Sequence, residues 1–167
     1  MSETPTLRLI STGKTFKGKL CEMVDSTQMF GYFDWHHIED LCDYLEAYEA
    51  DEGVVLFREG EPGNYMCLII DGSVDILKED SQETNKSVSI VGRGKTLGEM
   101  SIIDGQPRSA TAVVAEPTTL AILTKANFQR LIQEKPALAA QIMLRIASLL
   151  SQRLRVTSGV LVDYLDN

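Results

Sequence analysis

Short apolar runs of strand length, broken by glycines and set between two amphipathic helical segments, predict a mainly β domain with flanking helices: a jelly roll with N-terminal helices and C-terminal closing helices. Near Tyr48 the hydrophobic pattern changes from helical spacing to short runs, and after Thr124 it changes back. Between these points Gly53, Gly60, Gly63, Gly72, Gly92, Gly94 and Gly105 supply the punctuation. The 167 residues, 44% hydrophobic, suffice for one domain with a full core and fall short of two ordinary ones. The expected organisation is a flexible N-terminal tail over 1–13 and one domain over 14–167. That domain divides into a helical lead-in (14–47), the jelly roll (48–124) and C-terminal helices (125–165).

The tail holds Pro5, small polar residues and few apolar ones. Lys14 to Phe30 places Phe16, Leu20, Met23 and Val24 at helical spacing, a weakly amphipathic helix. A second helix starts at Asp34 as N-cap, with Trp35, Ile38, Leu41, Cys42 and Leu45 in one stripe. Strands are expected over Val54–Phe57, Tyr65–Ile70, Val74–Lys78, Ser87–Val91, Ser109–Ala115 and Thr119–Leu123. Asp71-Gly72 suits a tight hairpin turn, and the polar stretch Glu79 to Lys86 suits a solvated loop. Thr124 can cap a helix through about Lys135, and Pro136 fits the first turn of another running to roughly Val162. Leu138, Ile142, Met143, Ile146, Leu149, Leu150 and Leu154 give this last helix an apolar face broader than one contact demands, leaving part of it for a partner.

Composition excludes several classes. A net charge of −8 opposes direct nucleic-acid binding, which depends on phosphate neutralisation by Lys and Arg. The nearest approach to a long apolar run, Ala137 to Leu150, is too short for a bilayer and is interrupted by Gln141 and Arg145, so no membrane contact is expected. Cys21, Cys42 and Cys67 are odd in number and widely spaced, which reads as reduced core thiols of a cytoplasmic protein.

The chemistry lies between Leu97 and Val114. Gly98 permits close backbone approach, and Glu99 to Ile103 is long enough for about one helical turn with free N–H groups at its start. Past Gly105 and Pro107, Arg108 enters a run of small and β-branched residues that reads as a half-buried strand. Free helical N–H groups and a fork-shaped cation suit a phosphate. A carboxylate beside that phosphate is repulsive unless it accepts a hydroxyl, and a ribose 2′-OH would supply one.

Gly98-Glu99-Met100-Ser101 followed by Pro107-Arg108-Ser109-Ala110 resembles the phosphate-binding cassette of the cyclic-nucleotide-binding domain family, of the catabolite activator and protein kinase A regulatory-subunit type. Phe57-Arg58-Glu59-Gly60-Glu61-Pro62-Gly63 and Leu68-Ile69-Ile70-Asp71-Gly72-Ser73-Val74 resemble its early strands and turn, and the likeness covers roughly residue 35 to the C-terminus. The resemblance implies an eight-stranded β jelly roll (double-stranded β-helix). It also implies that Glu99 holds the ribose 2′-OH and Arg108 the cyclic phosphate. Ser109 and the amides of Ser101 and Ala110 would complete the phosphate shell. Arg153 to Ser158 resembles the helix whose Thr-Ser pair meets adenine. Here the preceding segment is about one turn longer, roughly 5.4 Å, so Thr157 and Ser158 would overshoot and Arg153 or Ser151 would cap the base instead.

The implied function is non-enzymatic sensing of a cyclic nucleotide, cAMP by family frequency, with cGMP and cyclic dinucleotides open. No cofactor and no metal is expected. The chain stops at Asn167 without a helix-turn-helix, so output is expected through a protein partner or as a homodimer through the C-terminal helix. The alternative is a ligand-independent dimeric scaffold with a degenerate form of the fold. Intact Glu99, Arg108 and Ser109 weigh against it, although Glu99 and Arg108 could also form a structural ion pair. Gly13-Lys14-Thr15 and Gly94-Lys95-Thr96 lack the glycine a P-loop needs five residues earlier, where Arg8 and Ser89 stand. Asn85-Lys86-Ser87 reads as a polar loop rather than a glycosylation site. His36 and His37, adjacent on a helix, are expected to point apart, which opposes a metal-dependent cupin or a haem sensor.

Overall fold

The computed structural model describes residues 6–10, 14–82 and 84–165, without the side chains of 14–16 and 163–165. Two antiparallel sheets carry the fold. The first has the spatial order β1 (Leu7–Leu9), β2 (Glu46–Ala50), β9 (Thr118–Thr124), β4 (Tyr65–Asp71), β7 (Thr96–Leu97). The second has the order β3 (Val55–Phe57), β8 (Thr111–Val114), β5 (Ser73–Glu79), β6 (Asn85–Gly92). The helices are α1 (Lys14–Asp25), α2 (Trp35–Cys42), α3 (Glu99–Asp104), α4 (Lys125–Glu134) and α5 (Pro136–Leu165). This is the mainly β, jelly-roll architecture with flanking helices that the sequence predicts. Among the described residues the sheets do not close into a barrel.

The five-stranded sheet is the middle layer. The side chains of a strand alternate between faces, so a strand covered on both sides reads as a continuous apolar run. In β4, Met66, Leu68 and Ile70 pack among the helices, whereas Cys67 and Ile69 pack against the second sheet. In β9, Ala121 and Leu123 face the helices and Leu120 and Ile122 the second sheet. The β4–β9 register pairs Cys67 with Ile122 and Leu68 with Ala121, so both faces stay in step. Thr124 caps α4 by accepting the Asn127 N–H at 3.1 Å, and Pro136 occupies the first position of α5, where no N–H is needed.

Helix α5 has two halves. Leu138, Ile142 and Ile146 are buried in the helical layer, and Arg145 donates from Nε to Met29 O at 3.1 Å and from Nη2 to Gln28 O at 2.8 Å. Beyond Leu150 every described side chain is exposed, including Leu154, Val156, Val160, Leu161 and Val162.

Several expectations are corrected. Leu7–Leu9 of the expected tail pairs with β2, whereas residues 1–5 and 11–13 lie outside the described residues. The helix expected over Lys14–Phe30 ends at Asp25, where Ser26 and Thr27 hydroxyls bond back to Met23 O and Val24 O and compete with the next turn; the Phe16 side chain is outside the described set. The second helix stops at Cys42, and the strands that follow it begin at Glu46 rather than Tyr48. Among the described residues β2–β9 supply the eight strands expected of the jelly roll, and β1 adds a ninth at the edge beside β2. Gly72 has φ +88° as a tight turn requires, but β4 and β5 lie in different sheets, so the turn is a corner between layers and not a hairpin. The expected loop Glu79–Lys86 is shorter, because Glu79 pairs with Asn85 and Lys78 with Lys86. Asn85-Lys86-Ser87 therefore opens β6.

The division of α5 is measurable by urea denaturation. Ile146→Ala is expected to cost about 2–5 kcal/mol, whereas Leu154→Ala, 67% exposed, stays within about 0.5 kcal/mol.

Candidate functional site

The cassette residues converge on one cavity of about 190 Å³. Gly98, Glu99, Met100 and Ser101 enter from the start of α3, and Arg108, Ser109 and Ala110 from the segment leading into β8. Phe57, Ile76, Ser89, Val91, Thr96 and Leu97 complete the walls from the strands, and Arg153 reaches in from α5. Ser151, Thr157 and Ser158, offered as base contacts, are exposed and absent from the walls, and Thr157 Oγ1 donates back to Arg153 O at 2.9 Å.

Two glycines allow the walls to close. Gly98 caps α3 with φ +78°, and a Cβ there would lie 2.5 Å from Arg108 Nη1. A Cβ on Gly63 would lie 2.2 Å from Ser101 Cβ and 3.2 Å from Arg108 Cζ.

Arg108 is 3% exposed. It donates from Nη1 to Gly98 O at 3.0 Å and from Nη2 to Tyr65 O at 2.7 Å. Its guanidinium carbon sits 4.1 Å from the Phe57 ring centroid and 4.8 Å from that of Tyr65, within cation–π range. Burial pulls its pKa below the usual arginine value, opposed only in part by the nearby Glu61 and Glu99 carboxylates, and the cation is retained. The same burial raises the Tyr65 phenol and the Cys67 thiol to about 12 each, so both stay neutral.

Glu99 does not pair with Arg108, which corrects the ion-pair alternative. Its Oε1 accepts from Arg153 Nη1, and Arg153 Nη2 donates to Thr96 O at 2.7 Å. Three buried polar side-chain atoms have no hydrogen-bond partner among the described residues: Arg108 Nε, Glu99 Oε2 and Thr96 Oγ1. All three belong to residues lining the cavity. Two guanidinium cations and one carboxylate leave the walls with one net positive charge, inside a chain whose total is −8. The cavity thus presents a donor on a cation, an acceptor on an anion and an apolar floor.

A family model described as the cyclic nucleotide-binding domain matches residues 48–135, more than half of the chain. The chain belongs to this family. A crystal structure of a cyclic nucleotide-binding domain from Methylobacillus flagellatus KT superposes with a TM-score of 0.81 at 31% identity, covering 93% of this chain and 88% of that one. A cyclic nucleotide-gated potassium channel of Mesorhizobium japonicum is 37% identical over 95 residues, 57% of this chain and 25% of the channel. The Cyclic AMP receptor protein of Thermus thermophilus is 32% identical over 112 residues, 67% of this chain and 50% of that protein. The chain therefore spans a quarter to a half of these two relatives. Among the described residues, no helix of this cyclic nucleotide-binding domain is long and apolar enough to cross a membrane.

Sequence reasoning gave no site role to Phe57, Tyr65, Thr96 or Gly63. Phe57 and Tyr65 carry ordinary strand signals, and only the fold reveals that their rings flank a guanidinium. Gly63 lies within a segment that carries the resemblance, but its need for a bare Cα comes from Ser101, far along the chain. The expectation that His36 and His37 diverge is also corrected: their ring centroids lie 3.9 Å apart.

Gly63→Ala is expected to destabilise the domain by about 1–3 kcal/mol through overpacking against Ser101. The second change Ser101→Gly, which removes the opposing Cβ, is expected to restore part of that loss in a double-mutant cycle measured by chemical denaturation.

Proposed function

We propose that this chain is a cytoplasmic, non-enzymatic sensor of a 3′,5′-cyclic nucleotide, with cAMP as the ligand, that signals through α5 to a protein partner or by self-association. The observation that carries this reading is the pair of unpartnered atoms at the cavity, Arg108 Nε and Glu99 Oε2. A buried polar group without a partner costs about 1–3 kcal/mol, more when charged, so two of them in one cavity call for a ligand that satisfies both. A cyclic phosphodiester offers one negative charge to Arg108, and the adjacent ribose 2′-OH offers a donor to Glu99. The preference for cAMP rests on relatives such as the Thermus thermophilus receptor named for it.

Arg153 bonds the other oxygen of the Glu99 carboxylate, which ties α5 to the group proposed to read the ribose. Arg153 is the part of the cavity wall carried by the largely exposed half of α5, so in this reading it is the part that responds to the ligand. The apolar residues of that half, from Leu154 to Val162, form the output surface in this reading. They would serve equally in a ligand-independent scaffold, which the following measurements separate from the sensor.

Cyclic nucleotide at about 100 times its dissociation constant is expected to stabilise the protein by roughly 2.7 kcal/mol, a rise in melting temperature on the order of 5 to 10 °C. Arg108→Leu is expected to abolish the rise while the protein still folds. No shift with millimolar cAMP or cGMP overturns the sensor reading.

The Glu99 contact has its own test by calorimetry. The 2′-deoxy ligand is expected to bind more weakly by about 1.5–3 kcal/mol, the range for a hydrogen bond to a charged group. In Glu99→Ala the ribo and deoxy ligands are expected to bind alike. A deoxy penalty retained in that variant means another group holds the hydroxyl.

A further inference from the structure

Away from the cavity, the start of α2 gathers three metal-ligating side chains. Asp34 occupies the N-cap with φ −63° and ψ 144°, yet its carboxylate makes none of the hydrogen bonds to helix N–H groups that a capping aspartate normally makes. Two and three residues later stand His36 and His37, whose ring centroids are 3.9 Å apart with planes inclined at 45°. One ligand atom from each of Asp34, His36 and His37 lies within 4.8 Å of the other two. The N-cap and third helical positions are neighbours in space, as in a capping box, which brings His37 beside Asp34. His36 then leans onto His37 rather than following its own helical direction.

We propose that Asp34, His36 and His37 form a binding site for one borderline divalent transition-metal ion of the zinc class, with at least one coordination position left to water. Two imidazole nitrogens and one carboxylate oxygen suit zinc, nickel or copper and disfavour magnesium and calcium, which take oxygen ligands. At Zn–N distances of about 2.0–2.1 Å, tetrahedral ligand atoms lie roughly 3.3 Å apart. The ligand atoms must close from within 4.8 Å to that spacing, and two of the three side chains are exposed. The helix N-terminus opposes a cation weakly, and the Asp34 carboxylate offsets it. The ion would join α2 to the segment 26–34, whose Gln28 and Met29 carbonyls hold Arg145 of α5.

The test is calorimetric titration of the full chain with zinc chloride, without nucleotide, alongside melting curves. Saturable one-to-one binding is expected, reversed by EDTA, unaffected by excess magnesium and accompanied by a higher melting temperature. His36→Ala with His37→Ala is expected to weaken binding by at least about tenfold and to remove the thermal shift. That double variant folds, because neither ring is in the core and alanine favours the helix. Asp34→Asn is expected to weaken binding less than the double variant does. Absence of saturable binding at millimolar zinc, or equal binding by the double histidine variant, overturns the proposal.

Discussion

The ion pair between Glu99 and Arg153 is the contact on which the rest of the structure turns, because it fastens the buried end of the cavity to the least buried part of the chain. Glu99 is 3% exposed, whereas the Arg153 side chain is 43% exposed. A carboxylate that deeply buried requires a cationic partner, and removing the partner of a fully buried pair costs about 3–5 kcal/mol. The cost is smaller here, since water screens Arg153. The pair therefore holds Glu99 firmly while leaving the helix that supplies the arginine free to respond.

The layered fold gives the proposed signalling through α5 a physical basis. The first half of α5 is locked into the helical layer by Leu138, Ile142 and Ile146 and by Arg145 on the 26–34 segment. Arg153 lies just past the last of these anchors, where the helix leaves the core. A ligand shifts an equilibrium only through contacts that differ between two states. In the proposed mechanism the group that differs is the Glu99 carboxylate, shared between a ribose hydroxyl and Arg153. The Arg108 side stays fixed, because its guanidinium packs against the Phe57 and Tyr65 rings and is held by two carbonyls.

Much of this was legible in the sequence, for reasons that also define its limits. Tyr65–Asp71 reads as a strand because both of its faces are buried, and Thr118–Thr124 does so for the same reason. Glu46–Ala50 escapes notice because alanine and glutamate have little strand preference, and its pairing with β9 comes from more than 65 residues away. Thr96–Leu97 is too short to show a period. Asp71-Gly72 announces a turn, but no local pattern says that the next strand joins the other sheet. At the site, the spacing from Gly98 to Ala110 is local and readable, and all of the cassette residues proposed there reach the cavity. The stacking of Phe57 and Tyr65 on Arg108, and the pairing of Arg153 with a glutamate 54 residues earlier, arise from long-range packing that periodicity does not encode.

The central claim is that the cavity and α5 are coupled through Glu99 and Arg153. Amide hydrogen exchange along residues 147–162, measured with and without saturating cyclic nucleotide in the wild type and in Arg153→Ala, addresses it most directly. The account predicts a change in protection of about fivefold or more in the wild type, equivalent to a coupling of at least roughly 1 kcal/mol, and little change in an Arg153→Ala protein that still binds ligand. Unchanged protection in the wild type, or the same change in both proteins, would contradict it.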